Sequence, residues 1–179
     1  ETIRDEDVRR QFEINLFGAM NVARAVLPTM RLQRSGLVVT ISSVNGLVAN
    51  PGGAIYSASK FALEGWIEGL AEEITPLGIR SLIVEPGMMR TNFLDPSTAR
   101  QGDLEIEDYA EAASTFQTFI FQANGAQEND PEELAARIVA EAYSDDPIRR
   151  LLFGTDAHEW AGAKCRQLAT EIEASNAHI

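Results

Sequence analysis

The sequence predicts an α/β protein: a partial, doubly wound parallel sheet with helices on both faces. Three observations lead there. Helical and strand patterns alternate along the chain. The strand candidates are short, nearly continuous apolar runs, as in strands buried on both faces. The length, 179 residues with 45% hydrophobic content, suits one domain with a real core, so residues 1–179 are read as a single domain.

The first helix is expected from about Asp5 to about Met30. Asp5 suits its cap, and Glu6 and Asp7 suit the positive end of its dipole. Val8, Phe12, Leu16, Ala19, Ala23, Val26 and Met30 recur at helical spacing and give one apolar face. Pro28 should bend or end it. Leu37 to Ser42 (LVVTIS) reads as a strand buried on both faces, and a loop with Gly46, Pro51, Gly52 and Gly53 follows. A second helix covers about Tyr56 to Thr75, with Leu63, Ile67, Leu70 and Ile74 inward and Pro76 and Gly78 closing it. Ile79 to Val84 is the next buried strand, ended by Pro86-Gly87.

Met88 to Gly102 has no periodicity. A helical segment follows from about Leu104 to about Gln122. Asp130 caps another helix, with Pro131 in its first turn. Arg149 to Phe153 reads as the last strand, closed by Gly154, and a final helix fills about Asp156 to Ala174. Such units wind right-handed onto one sheet.

Composition excludes several functions. A net charge of -12 argues against nucleic acid, which needs clustered Lys and Arg. No apolar run approaches the roughly 18 residues that cross a bilayer. The charged start, ETIRDEDVRR, is neither a signal nor a transit peptide. It lacks a methionine and runs directly into a helix, which suggests that a natural beginning has been lost. One cysteine, Cys165, excludes an internal disulfide and a multi-cysteine metal site; a free, inert thiol fits a reducing cytoplasm. His158 and His178 have no partner at metal-ligand spacing, so no metal is expected.

The segment with the most chemistry is YSASK, Tyr56 to Lys60, preceded by Ser42-Ser43. A phenol titrates near pH 10 (roughly), too high for easy proton exchange at neutral pH. A cation nearby favours the phenolate. Lys60 lies one helical turn from Tyr56 on the same face and can bias its hydroxyl. Ser43 sits at the carboxyl end of a strand, where open α/β sheets place ligands. A hydroxyl there can hold a substrate oxygen against Tyr56. Ser42 reads as a strand-end structural residue.

The pattern Ser42-Ser43-x-x-Gly46 followed by Tyr56-x-x-x-Lys60 resembles the active-site signature of the short-chain dehydrogenase/reductase family. Asn15, within FEINLFG, is similar to the family's active-site asparagine; read alone, it could merely interrupt a helix. Pro86-Gly87 followed by Thr91 resembles the family's PG-x-x-x-T segment, although Thr91 could be a simple helix cap. The resemblance is dense from Asp5 to about Phe93, and beyond that covers only the order of elements.

It implies a Rossmann-like domain and NAD or NADP as cofactor. It also implies an alcohol, ketone or aldehyde as small-molecule substrate. Catalytic roles fall to Asn15, Ser43, Tyr56 and Lys60. Cofactor contacts fall to Tyr56, Lys60, Pro86, Gly87 and Thr91. Relatives pair the helices carrying Asn15 and Tyr56 across a dimer interface, which implies a homodimer or homotetramer and a subunit-facing Trp66. The sequence departs from the family in lacking the opening TG-x-x-x-G-x-G turn and the NNAG motif, so it reads as the catalytic half of an NAD(P)-binding domain. The only other Gly-x-x-x-Gly, Gly65 to Gly69, lies inside a helix and reads as close helix packing.

Two further readings stay open. The chain could be catalytically inactive and act only as an oligomerising or binding module. It could also be an isomerase, dehydratase or epimerase on the same scaffold. Met88, Met89, Phe93 and Leu94 could line a substrate pocket or be ordinary core. The mixed apolar character of Met88 to Asn129 hints at a moderately apolar substrate. Three strands without further neighbours would leave a sheet edge and helix faces open, favouring association and poor solubility of the isolated chain.

Overall fold

A computed structural model gives the architecture, and it describes residues 1–95, 102 and 106–176. His178 and the expected helix start at Leu104 lie outside the described residues, as does most of the segment after Asp95. Three parallel strands, β1 (Gly36–Ile41), β2 (Ile79–Pro86) and β3 (Arg150–Phe153), lie in the order β1-β2-β3. The helices are α1 (Asp5–Phe12), α2 (Gly18–Gln33), α3 (Ala54–Ile74), α4 (Ala110–Ala123), α5 (Pro131–Ala142) and α6 (Thr155–Asn176).

Strand alternation assigns the two faces. Leu82 and Val84 of β2 join Leu151 of β3 and Leu134 of α5 in one buried cluster, with Leu37 and Ile138 packed on it. The opposite face of β2 meets α3, whose Leu63, Ile67, Ala71 and Ile74 are buried. α1 and α2 flank α3 and β1. A third cluster, Val44 with Ala157 and Ala161, ties the turn after β1 to α6.

Several expectations are corrected. The first helix starts at Asp5 with Arg4, not Asp5, at the cap position; Asp5 instead pairs with Arg9 at 2.7 Å. It continues through Pro28 to Gln33. The carbonyl that Pro28 leaves without an N–H belongs to Arg24, and both residues are exposed, so water can satisfy it. A π-helical turn, Glu13–Phe17, interrupts this helix at Asn15. β1 is not buried on both faces: Val39 and Ile41 are exposed, because no helix covers their side of the edge strand. Leu70 is half-buried where full burial is expected. Gly65 and Gly69 pack against nothing, since an added Cβ would meet open space at both.

The expected cap of α5 is present. Asp130 caps α5 by accepting from the Glu132 N–H at 2.8 Å, with Pro131 in the first turn. Cys165 is a free, exposed thiol on α6, and Trp66 is half-buried on α3. Among the described residues, no helix is long and apolar enough to cross a membrane, and no cluster of His, Cys, Asp and Glu could hold a metal.

Candidate active site

The carboxyl end of β1 runs straight into the site. After Ile41 the chain turns through Ser42 and Ser43 into a short 3-10 turn, Val44–Gly46. Ser43 Oγ caps that turn by accepting from the Asn45 N–H at 3.1 Å. Its hydroxyl proton is therefore left to donate elsewhere. Asn45 in turn donates from Nδ2 to Ser57 Oγ at 3.3 Å, which ties the turn to α3 one residue past Tyr56. The loop then reaches the start of α3, where Tyr56 sits in the first turn and Lys60 in the second.

The local geometry groups three of the expected residues. The Ser43 hydroxyl lies close enough to the Tyr56 phenol to influence its titration. Lys60 lies over the Tyr56 ring, Nζ 5.9 Å from its centroid, and donates to the Ile41 carbonyl at 3.0 Å. The ammonium is thus anchored to the end of the strand that carries Ser43. Burial raises the proton affinity of Tyr56 above its ordinary value, and the nearby Ser43 hydroxyl opposes that rise. Burial also lowers Lys60 to about 8, with the Glu64 carboxylate pulling it back up. In the chain by itself, burial outweighs the expected lowering of Tyr56 by Lys60. The phenol holds its proton at neutral pH, the form a proton donor needs.

Asn15 approaches from the π-helical turn, a distortion that recurs at functional sites. Its Nδ2 donates to Ser59 Oγ at 3.0 Å, and Ser59 Oγ donates to the Tyr56 carbonyl at 2.7 Å. Asn15 therefore braces the helix turn that joins Tyr56 to Lys60.

Pro86 and Gly87 end β2 beside this turn, and the Gly87 N–H donates to the Phe153 carbonyl at 2.9 Å. A side chain at Gly87 would collide with the Asp156 carboxylate. Asp156 accepts from the Met88 N–H at 2.7 Å and from Asn129 Nδ2 at 3.0 Å, so the first turn of α6 fixes the loop after β2. Thr91 takes the capping role: its Oγ1 accepts from the Phe93 N–H at 3.3 Å at the start of the turn Asn92–Leu94. Of the pocket candidates, Met89 packs on the α5 cluster, whereas Phe93 is exposed and tilts against the Tyr56 ring at 5.4 Å. From α4, Phe116 lies against Gly52, where φ is +78° and a side chain would meet the ring.

Sequence reasoning missed Ser59, Asn129, Asp156, Glu64 and Glu85. Asp156 had a signal, an acidic residue two positions past Gly154 at a helix start. Glu64 had one too, a carboxylate on the Tyr56–Lys60 stripe beside Leu63 and Ile67.

Residues 1–102 match the short chain dehydrogenase family model. The chain belongs to the short-chain dehydrogenase family. It is 32% identical over 173 residues to the oxidoreductase BOA17 of Botryotinia fuckeliana, covering 97% of this chain and 62% of that protein. A short-chain dehydrogenase crystal structure from Streptomyces avermitilis superimposes with a TM-score of 0.83 at 35% identity, over 97% of this chain and 62% of the other. A short chain dehydrogenase from Burkholderia cenocepacia, solved in complex with NADP, shares the fold at a TM-score of 0.65 and 23% identity, over 98% of this chain and 60% of its own. The chain thus spans about three-fifths of the length of these relatives.

Proposed function

We propose that this short-chain dehydrogenase chain supplies the catalytic part of an NAD(P)-dependent oxidoreductase that interconverts an alcohol and a ketone or aldehyde. The observation that carries the reading is the grouping of the buried Ser43 and Lys60 with the half-buried Tyr56 at the carboxyl end of β1. The residues present fit the nicotinamide-ribose end of such a cofactor. An ammonium has three N–H donors, and among the described residues Lys60 gives a hydrogen bond to the Ile41 carbonyl. Its other donors suit a ribose hydroxyl, and Pro86, Gly87 and Thr91 border the same end of the sheet. A bound nicotinamide supplies or accepts the hydride.

The chain's own residues handle the oxygen and its proton. Ser43 donates to the substrate oxygen and holds it against Tyr56. Tyr56 gives its proton to that oxygen during reduction and takes it back during oxidation. Lys60 stabilises the phenolate left behind, and Asn15 keeps the Tyr56–Lys60 turn in register through Ser59. The exposed Phe93 beside Tyr56 borders the substrate and favours an apolar group.

Tyr56→Phe in the full-length protein tests this. Turnover of a ketone with NADH or NADPH should fall by at least ~10²-fold, as for loss of a general acid. Near-normal turnover would refute the assignment.

A second reading, a non-catalytic association module, is favoured by the exposed apolar side chains of Ile14, Phe17 and Val22 on the first helix and of Val39 and Ile41 on β1. Fluorescence titration with NADH and NADPH discriminates: micromolar binding to this chain supports the oxidoreductase reading. The isomerase, dehydratase and epimerase reading has no such observation behind it.

A further inference from the structure

We propose that Glu64 is a positioning residue whose buried carboxylate is the counter-charge that keeps Lys60 protonated beside Tyr56. The proposal rests on the reading of Tyr56 and Lys60 as the proton-handling pair.

Tyr56, Lys60 and Glu64 are spaced four apart on α3 and form one stripe running inward from the site. Glu64 is 4% exposed and lies between the core residues Leu63 and Ile67. Its Oε2 accepts from Arg150 on β3 at 3.0 Å. Arg150 also binds Glu85 of β2, which is fully buried, and the more exposed Glu68 at 2.6 Å. The other carboxylate oxygen, Oε1, and the Ser42 hydroxyl are both buried and converge on Gly46. A Cβ on Gly46 would lie 2.8 Å from Ser42 Oγ and 3.0 Å from Glu64 Oε1. Ser42 and Gly46, two residues of the strand-end motif, are thus explained by one carboxylate: the first faces it and the second makes room for it.

The charged groups facing Glu64 come from three elements: Lys60 and Glu68 on α3, Glu85 on β2 and Arg150 on β3. Tyr56 is the neutral phenol beyond Lys60. Three carboxylates, two of them buried, therefore surround two cations. Stability alone gives no reason for this arrangement, because replacing a buried ion pair with well-packed apolar residues is often neutral or favourable. A reason appears at Lys60. Burial by itself drives a lysine towards its neutral form, and a neutral Lys60 loses its electrostatic hold on Tyr56. Burial raises the proton affinity of Glu64 and Arg150 opposes that rise, while the Glu64 carboxylate raises Lys60 against its burial.

The test reads Lys60 directly. The sequence holds two lysines, Lys60 and Lys164, so the side-chain 15Nζ and 13Cε signals of lysine-labelled protein are assigned with Lys60→Arg. In Glu64→Gln the Lys60 titration midpoint should fall by about one pH unit or more, the effect of removing an adjacent opposite charge. Glu64→Asp keeps the charge and should stay near the wild-type midpoint. In the full-length enzyme, the alkaline limb of kcat/KM for carbonyl reduction should move to lower pH in Glu64→Gln, because losing a negative charge lowers the proton affinity of Lys60 and Tyr56 alike. An unchanged Lys60 midpoint in folded Glu64→Gln overturns the proposal. So does a loss of kcat/KM by the same factor at every pH, the mark of a merely structural role. If Glu64→Gln does not fold, Glu64→Met carries the same expectation. A shifted Lys60 midpoint alongside an active Tyr56→Phe would retain the counter-charge and discard the catalytic reading.

Discussion

The aliphatic residues of β1 and β2 have opposite fates. The two strands pair in register, Val39 with Leu82 and Ile41 with Val84. Yet Val39 is 37% and Ile41 50% exposed, while Leu82 is 2% and Val84 0% exposed. The difference lies in what flanks them. β2 is central, with α3 on one face and the Leu134 side of α5 on the other. β1 is the edge, and α5 does not reach across it. Strand composition therefore reports a capacity for burial, and the neighbours decide whether it is used. Both strands nonetheless end in motif residues at the same end of the sheet: Ser42-Ser43 after β1 and Pro86-Gly87 at β2.

That contrast can be broken by mutation. The largest effect is expected at Leu82→Ala, which removes a packed side chain from the α5 cluster and should cost about 2–5 kcal/mol in denaturant unfolding. A smaller value would mean that the cluster collapses around the gap. Asp156→Ala is intermediate. It orphans the Met88 N–H and Asn129 and should cost about 1–3 kcal/mol, with a lower kcat/KM for the full-length enzyme as the loop after β2 loosens. Unchanged stability and unchanged kcat/KM would show that the loop has other support. Ile41→Ala is the smallest, within about 0.5 kcal/mol for an exposed position in this chain. A cost as large as that of Leu82→Ala would show that something covers the edge of β1.

Much of the site was legible because its chemistry is local in sequence. Tyr56 and Lys60 are one helical turn apart, so spacing placed them together, and the family resemblance joined Ser42, Ser43 and Gly46 to them. Asn15 was legible as a residue and not as a contact: its partner, Ser59, lies 44 positions away. Thr91 was weighed as a cap, and capping is its observed contact. The missed residues are those whose partners come from other elements. Glu64 meets Arg150 across 86 residues, and Asp156 meets Met88 across 68. No period or motif signals such a meeting. The error over Gly65 and Gly69 has the same origin, because whether a helix face meets another helix depends on a partner that spacing does not reveal.

The sequence by itself determined the α/β class, the order of elements, the cap at Asp130 and the nearness of Tyr56 and Lys60 on one helix face, since each follows from the period, turn residues or spacing of neighbouring positions. Only the tertiary structure decided which strand is central, which face of β1 stays open, and that Glu64, Glu85 and Arg150 share one buried network behind Lys60. Electrostatic and packing partners are chosen in space, where residues far apart along the chain exclude water from one another.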